Sequence, residues 1–197
     1  MPYLNIIKTL ISFLLFVFLA AALFSYDASD PSLNQATDIS AKNLAGNFGA
    51  YLADPIFQLF GLASIIITLI PLFWSFSFLR NRKISLWFLR ILSGFIALVS
   101  SSLLFSYLDY SNDYFKLTGG IAGKLLNIKL SSYDVPEYGI QLSAAFVAIV
   151  SLYFSLSITL SSIENMSKRF YNGILSFIRI LRDRTNFFIE KLRNSNK

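Results

Sequence analysis

Four long stretches of the chain contain no Asp, Glu, Lys or Arg and are mostly apolar. They cover residues 9–26, 55–79, 91–108 and 138–163. About 20 mainly apolar residues cross a hydrocarbon layer about 30 Å thick, because a helix rises about 1.5 Å per residue. The pattern therefore predicts an all-α protein with four transmembrane helices. A soluble bundle is the alternative, but four such stretches in 197 residues leave too little polar surface to cover them.

Residues near the ends of these stretches are typical of a membrane surface. Tyr and Trp favour the headgroup level, where the ring is apolar on one side and forms hydrogen bonds on the other. Asp54 and Pro55 predict the start of the second span, with Asp54 as the N-cap and Pro55 at the first helical position. The aromatic residues at or near the ends are Tyr26, Trp74, Trp87, Tyr107, Tyr110 and Tyr138.

The composition excludes several classes of chemistry. Apolar residues make up 55% of the chain and charged residues 14%, and there is no Cys and no His. A soluble domain is typically about a quarter charged. Without Cys and His, thiol catalysis, disulfides, His-based triads and ordinary zinc sites are excluded. We therefore predict no catalytic residue, no cofactor and no metal site.

The distribution of charge along the chain predicts its orientation. The formal charge is +1 before the first span, −3, +4 and −1 in the three loops, and +5 after residue 163. Cytoplasmic segments are enriched in Lys and Arg. We therefore expect the second loop and both termini in the cytoplasm, and the first and third loops outside. The basic residues expected at anionic lipid headgroups are Arg80, Arg82, Lys83, Arg90, Arg179, Arg182 and Arg184.

The N-terminal segment has a second interpretation. Lys8, followed by an apolar stretch and Ala20–Ala22, resembles a secretory signal peptide with a small-residue cleavage site. Cleavage there would leave three spans, and the loop charges would fit that topology equally well. The apolar stretch continues through Leu23 and Phe24, which favours an uncleaved first span.

The interiors of the predicted spans contain hydroxyls and small residues but no charge. Transporters and proton relays usually carry ionisable groups within the membrane, so coupled transport is disfavoured. A small channel or transporter subunit stays open as an alternative. Small residues four apart, such as Ala144 and Ala148 or Ala97 and Ser101, let helices approach closely. They predict packing within the bundle or contact with another subunit.

The third loop contains a Gly-Gly-Ile-Ala-Gly-Lys sequence that begins at Gly119. It fails the pattern of a phosphate-binding P-loop, because Thr118 stands at the first Gly position and Leu125 follows Lys124. We interpret it as a glycine-hinged element at the outer surface. The apolar residues expected to face lipid or protein there are Ile121, Leu125, Leu126 and Ile128.

The two outer loops also carry short motifs in a defined order. Ser-Tyr-Asp and Asp-Pro-Ser follow the first span, an Asn and a Gly-x-x-Gly-Ala-x-x-Ala-Asp sequence lead into the second, and Gly-Gly-x-x-Gly separates the last two. The residues concerned are Ser25, Tyr26, Asp27, Asp30, Pro31, Ser32, Asn43, Gly46, Gly49, Ala50, Ala53, Asp54, Gly61 (in Phe60-Gly61), Gly119, Gly120 and Gly123. The series resembles the N-terminal four-span membrane domain of the FtsK/SpoIIIE family of bacterial DNA translocases. Roughly residues 10–160 take part, with Ala28 where the family often has Pro.

This resemblance implies a divisome protein of the bacterial inner membrane, concentrated at the division septum. In that family the four-span domain supports assembly of the division machinery and anchors a cytoplasmic hexameric ATPase that pumps DNA. A non-enzymatic anchor and scaffold is implied, with other divisome membrane proteins and further copies of the chain as partners. The sequence contains no Walker motif and no DNA-reading domain, so ATP hydrolysis and translocation are not carried over.

The segment 164–197 follows the four-span domain of residues 1–163 and has a different pattern. An apolar stripe at helical spacing and several basic residues predict a basic amphipathic helix. Such a helix lies on anionic lipid; the alternative is that it pairs with other copies or begins a linker to a motor. We expect no direct binding of nucleic acid, because the basic residues are few and no binding motif accompanies them. The stripe consists of Tyr171, Ile174, Ile178, Leu181, Phe188 and Leu192.

Overall fold

The computed structural model describes residues 2–34, 40–108, 118–133 and 135–158, together with Asn172, Ser176, Arg179 and Arg182. The chain divides into two compact units, Met1–Ser157 and Ile158–Lys197. In the second unit, Asn172, Ser176, Arg179 and Arg182 are helical and exposed. The apolar stripe expected in this tail lies outside the described residues, as does Arg184.

The first unit is built from helices. They are α1 (Pro2–Phe24), α2 (Gly46–Phe60), a 3₁₀ turn (Gly61–Ile65), α3 (Ile66–Leu79), α4 (Trp87–Phe105), α5 (Gly120–Ser131) and α6 (Glu137–Ser155). Four helical segments are long and apolar enough to cross a membrane: Tyr3–Phe24, Gly46–Leu79, Trp87–Phe105 and Glu137–Ser155. The predicted all-α membrane fold is therefore confirmed. All four segments begin before the charge-free stretches and so include a charged residue: Lys8, Asp54, Arg90 and Glu137, respectively.

The predicted start of the second span is wrong. Asp54 and Pro55 lie inside α2, which begins eight residues earlier at Gly46. The carboxylate of Asp54 does not cap a helix, because it accepts hydrogen bonds from the Tyr26 hydroxyl and the Gln58 amide. The sequence pattern predicted that the Asp54 carboxylate accepts the backbone N–H groups of a helix start, whereas its partners are side chains.

The true change of direction lies at Gly61. Its backbone has φ 57° and ψ −137°, a conformation that residues with a Cβ rarely adopt, and it ends α2. The 3₁₀ turn and α3 then measure together about 30 Å, from rises of about 2.0 and 1.5 Å per residue, which matches the hydrocarbon thickness. Gly61–Leu79 is therefore long enough by itself to cross the hydrocarbon layer.

Helix α2 instead lies beside the end of α1. Phe48 contacts Phe18, and further along both helices Phe57 stacks on Tyr26. Ala22, Leu23 and Ala53 form a buried cluster between these two contacts. The contacts advance in the same direction along both helices, so α2 runs in the same sense as the last turns of α1. Because Ala22 and Leu23 are part of this core, the fold includes the residues around the possible cleavage site.

Helices α4 and α6 pack through small residues. Ala97, Ala144 and Ala148 are all buried, as the interpretation of packing within the bundle predicts. A Cβ at Gly94 would lie 2.7 Å from the Ser155 hydroxyl oxygen, so the glycine is what admits Ser155 against α4. Small residues in membrane helices act in this way, because they let two backbones approach closely.

The fourth span is shorter than predicted. Helix α6 ends at Ser155 rather than at residue 163, and Ser157 has a positive φ of 57°. Two side chains from other helices bind the carbonyls at this end: Trp74 Nε1 donates to Ser155 O at 2.9 Å, and Arg90 Nη1 donates to Phe154 O at 2.5 Å. The Trp74 bond pairs a carbonyl that a helix end otherwise leaves unpaired, and the Arg90 bond adds to the one that the Ser157 N–H makes to Phe154 O.

Helix α5 lies in the chain between the end of α4 and the start of α6 and has 12 residues, too few to cross a bilayer. Its glycines 120 and 123 are buried. Leu126 packs against the cluster of Leu103, Ile140 and Ala144. The remaining apolar residues expected to face outward are indeed exposed, namely Ile121, Leu125 and Ile128.

Candidate functional site

The family-like motif residues converge at one end of the bundle. This end, called the polar end below, is formed by the end of α1, residues 25–34 and 40–45, α2, the end of α4, α5 and the start of α6. The opposite end, called the basic end, is formed by the start of α1, residues 80–86, the start of α4 and the end of α6. At the polar end the motif residues form two groups, one around Asp30 and Asn43 and one around Gly120.

Asp30 is the acceptor that closes the first loop. Its side chain is 6% exposed. Oδ1 accepts the backbone N–H of Lys42 at 2.8 Å, and Oδ2 accepts the backbone N–H of Asn43 at 3.0 Å. A buried carboxylate is tolerated when backbone donors satisfy it. Asp30 therefore fixes the two ends of the loop against each other, while the neighbouring Pro31 and Ser32 are buried beside it.

Asn43 connects the first loop to two helices. Its Nδ2 donates to Ala22 O at 2.8 Å, and its Oδ1 accepts the backbone N–H of Ala45 at 3.0 Å just before α2. The side chain is 4% exposed. A Cβ at Gly49 would fall on the Asn43 amide oxygen, so the glycine makes room for this amide. The motif Asn and the motif Gly thus form one contact.

Ser25 closes the end of α1 from the other side. Its hydroxyl donates to Ala21 O at 2.5 Å and accepts the backbone N–H of Leu44 at 2.8 Å. Together with the Asn43 amide, this bond pairs two of the last four carbonyls of α1. Such pairing matters near lipid, where water is scarce and an unpaired backbone group is costly.

Asp27 forms the exposed part of the same loop. Its Oδ1 accepts hydrogen bonds from the backbone and the hydroxyl of Ser29, and its Oδ2 accepts one from Lys42 Nζ at 3.0 Å. The Ser29 bonds, supported by Lys42, lower the pKa of Asp27 to about 2. The carboxylate is therefore charged at physiological pH, and the loop keeps its shape there.

Tyr26 lies two residues beyond the end of α1 and reaches α2. Its ring stacks on Phe57 with centroids 4.5 Å apart, and its hydroxyl donates to Asp54 Oδ1 at 3.1 Å. Burial and, after it, the Asp54 carboxylate raise the pKa of Tyr26 to about 12. The phenol therefore stays a hydrogen-bond donor at physiological pH. Ala50 and Ala53, the small motif residues of α2, are buried next to it.

The second group is a glycine contact between three elements. A Cβ at Gly120, which has φ +62°, would lie 2.6 Å from the backbone N of Gly61 and fall on the Leu59 carbonyl. A Cβ at Gly119 would lie 2.6 Å from Ser106 N, and one at Gly123 would lie 2.7 Å from the Ser102 carbonyl carbon. Ser102 Oγ donates to Gly119 O, and Leu62 N–H donates to Thr118 O at 2.9 Å. Backbone thus packs directly on backbone here.

Most of the motif residues are therefore buried and hold the polar end together by hydrogen bonds and close packing; we call them the motif framework. Of the motif residues around Asp30 and Asn43, Gly46 is exposed and Ser25, Tyr26 and Asp27 are partly exposed, whereas the others are buried. What they leave exposed are large apolar side chains on the same framework: Leu33, Leu44 and Phe48 are 74%, 80% and 69% exposed. Sequence reasoning missed these residues, because Leu33 and Leu44 lie beside motif residues and Phe48 lies at an unspecified position of the Gly-x-x-Gly motif, so the motif singles out none of them.

The basic residues expected at lipid headgroups have different environments. Arg80 and Lys83 are exposed in the loop after α3, and Arg82 is half-buried. The Arg90 side chain is bound within the protein. It donates hydrogen bonds to Phe154 O and Ser85 O, and its guanidinium lies 4.8 Å from the Phe154 ring centroid. Arg179 and Arg182 are exposed in the second unit.

A helical membrane domain with a hydrogen-bonded cap at one end is the class of protein that this fold and site define. The family described as the 4TM region of DNA translocase FtsK/SpoIIIE matches residues 3–167. The chain belongs to this family. The matched region is the membrane domain and not the ATPase motor.

Individual relatives support the same assignment. The chain is 32% identical to a DNA translocase FtsK of Rickettsia typhi over 197 residues, which cover 98% of this chain and 25% of that protein. It is 30% identical to one of Rickettsia prowazekii, again with 98% of this chain and 26% of that protein covered. The chain thus spans about a quarter of the length of these relatives. No solved structure matches the chain.

Replacing Asp30 by Asn should destabilise the protein. The amide keeps the shape of the carboxylate but turns a donor towards a backbone N–H, and a buried unpaired donor costs about 1–3 kcal/mol. We expect a lower midpoint of thermal unfolding in detergent solution. Asp27→Asn is the matched control, because its carboxylate is partly exposed and we expect a smaller change there. Equal midpoints for the two variants would contradict the framework role of Asp30.

Replacing Gly120 by Ala should also destabilise the protein, because the added Cβ meets backbone and the residue has a positive φ. A strained φ alone costs about 1–3 kcal/mol, which is a shift of roughly 5 °C in the unfolding midpoint. Gly46→Ala tests the φ effect alone, since nothing lies within 4 Å of that Cβ. Gly139→Ala is the control for both effects, because Gly139 has no positive φ and the atom nearest to its added Cβ is 3.7 Å away. The midpoint should fall most for Gly120→Ala, and any other order contradicts the backbone contact.

Proposed function

We propose that this chain is a non-enzymatic anchor and scaffold of the bacterial inner membrane, acting in cell division and chromosome segregation. The observation that carries the proposal is the framework around Asp30 and Asn43. Its polar side chains bind one another and the helix ends, so they form a rigid surface and no reaction centre. Membership of the membrane-domain family, whose named relatives are DNA translocases, supplies the biological setting.

The scaffold acts through the surface that the framework presents. Leu33 and Leu44 are exposed near Asp30 and Asn43, whose hydrogen bond fixes the two ends of the loop against each other. A preorganised loop loses little conformational entropy when a partner binds it. We propose that other divisome membrane proteins bind at this surface, and that further copies of the chain associate through the exposed apolar faces of the spans.

The orientation in this proposal follows from the loop charges. The polar end faces outward, and the basic end and both termini face the cytoplasm. In this arrangement the segment after residue 163 is on the side where a translocase motor acts. The ATPase activity of the relatives lies outside the region that this chain matches, so the chain anchors such a motor and does not itself hydrolyse ATP.

A small channel or transporter subunit is the alternative. The described hydroxyls of the spans support it poorly, because several of them bind backbone carbonyls. Thr68 donates to Ile65 O, Ser77 to Phe73 O and Ser75 to Thr9 O. Hydroxyls used in this way contribute to helix packing and are not displayed to a permeating solute.

The division role predicts a mid-cell location. A fluorescent fusion of the chain in dividing bacteria should concentrate at the septum, because the proposed partners are located there. Leu44→Ser should reduce the mid-cell fraction of fluorescence without reducing membrane insertion. Tyr133→Ser is the matched control, since Tyr133 is also exposed at the polar end but lies apart from the motif framework. Uniform envelope fluorescence of the unsubstituted fusion would count decisively against the proposal.

The orientation can be tested by chemical labelling, because the chain has no cysteine of its own. A single cysteine at exposed Leu44 should react with a membrane-impermeant maleimide in intact spheroplasts. A single cysteine at exposed Lys83 should react only after the membrane is disrupted. Labelling of both positions from the same side, or in the opposite order, would overturn the topology.

A further inference from the structure

A cavity of about 1020 Å³ lies at the basic end, away from the motif framework. Its walls come from the first half of α1, the last turns of α3, residues 81–84 and the start of α4. The volume is at the upper end of the range of about 300–1,000 Å³ for ligand sites. The cavity is therefore large enough for part of a lipid molecule.

The rim of the cavity is cationic. Lys8, Arg82 and Lys83 line it, and no acidic residue is among the described residues that do so. Lys8 Nζ lies 5.7 Å from the Phe78 ring centroid. The ion pair found in the described part of the chain is Lys42 with Asp27, at the opposite end. Within the described residues, both lysines of the rim are thus without a carboxylate partner and can attract an anion.

The walls below this rim are apolar and held in place. The Trp74 indole N–H is bound to Ser155 O, so its ring presents apolar surface to the cavity. Asn5 Nδ2 donates to Asn81 Oδ1 at 3.0 Å, which joins α1 to the loop after α3. Leu4 and Ile11 line the cavity and are 50% and 61% exposed. The apolar wall is therefore continuous with the outer face of a membrane helix.

We infer that this cavity binds one anionic phospholipid, with its phosphate at Lys8 and Lys83 and acyl chains along Ile11, Phe78 and Trp74. Basic pockets between membrane helices bind anionic headgroups in this way. A soluble phosphate or nucleotide would leave the apolar wall unfilled, whereas a lipid matches both parts. The inference is independent of the division role, because it requires only that the chain lies in a bilayer.

The chain carries its own probe for this site. It has two tryptophans, Trp74 and Trp87, and both line the cavity. Brominated lipids quench tryptophan by contact. The full 197-residue chain in nanodiscs should therefore be quenched more by brominated phosphatidylglycerol than by brominated phosphatidylcholine at the same mole fraction, and the excess should saturate. Equal quenching by the two lipids would overturn the inference.

Substitutions then locate the excess quenching. Lys8→Gln with Lys83→Gln should lower the apparent affinity for brominated phosphatidylglycerol roughly 25-fold, since each cation near an anionic lipid contributes about a fivefold factor. Lys124→Gln with Lys129→Gln removes the same charge from α5, at the polar end, and should leave the excess unchanged. Ser12→Phe, which fills the cavity without changing charge, should abolish it. If the α5 variant loses the additional quenching by brominated phosphatidylglycerol, or if Ser12→Phe keeps it, the lipid is attracted to the surface in general and the proposal is contradicted.

A last experiment distinguishes a bound lipid from a bound soluble anion. Inorganic phosphate and ATP are added to nanodiscs of phosphatidylcholine alone while tryptophan fluorescence is followed. We expect no saturable change at millimolar concentration. A saturable change that the lysine pair variant removes would assign the cavity to a soluble anion and overturn the lipid assignment.

Discussion

The pairing of helix-end carbonyls is the constraint on which the rest of this structure depends. A membrane helix satisfies its interior backbone groups by itself, but its last four carbonyls need other partners where water is scarce. At the end of α1 those partners are Ser25 and Asn43, and at the end of α6 they are Trp74 and Arg90. Except for Ser25, each partner comes from another part of the chain. The bonds that finish a helix therefore also hold the bundle together.

The family-like motif follows from this constraint. Asn43 can reach Ala22 O only if its own backbone is fixed, and the Asp30 carboxylate fixes it by accepting the N–H. The amide in turn occupies the space that a side chain at position 49 would need. An acid, an amide and a glycine that are well separated in sequence are thus parts of one contact. This explains the structural part that those residue types play in the loop.

The four spans could be predicted because apolar composition is a local property, and so could the charge difference between the two ends. The helix boundaries could not. Asp54 and Pro55 have the sequence of a helix start, but the partner of Asp54 is Tyr26, 28 residues away. The end of α6 depends on Trp74, 81 residues away. The burial of the motif residues could not be predicted either, because their partners lie across loops and no local pattern shows whether a polar residue faces inward.

The two ends of the bundle use their polar residues in opposite ways. At the polar end, Asp30 and Asn43 are satisfied within the protein, so what remains for a partner is shape and exposed apolar side chains. At the basic end, Trp74 and Arg90 bind the end of α6, while Lys8 and Lys83 take no part in those bonds. Charge that folding does not use is free to act on something outside the chain.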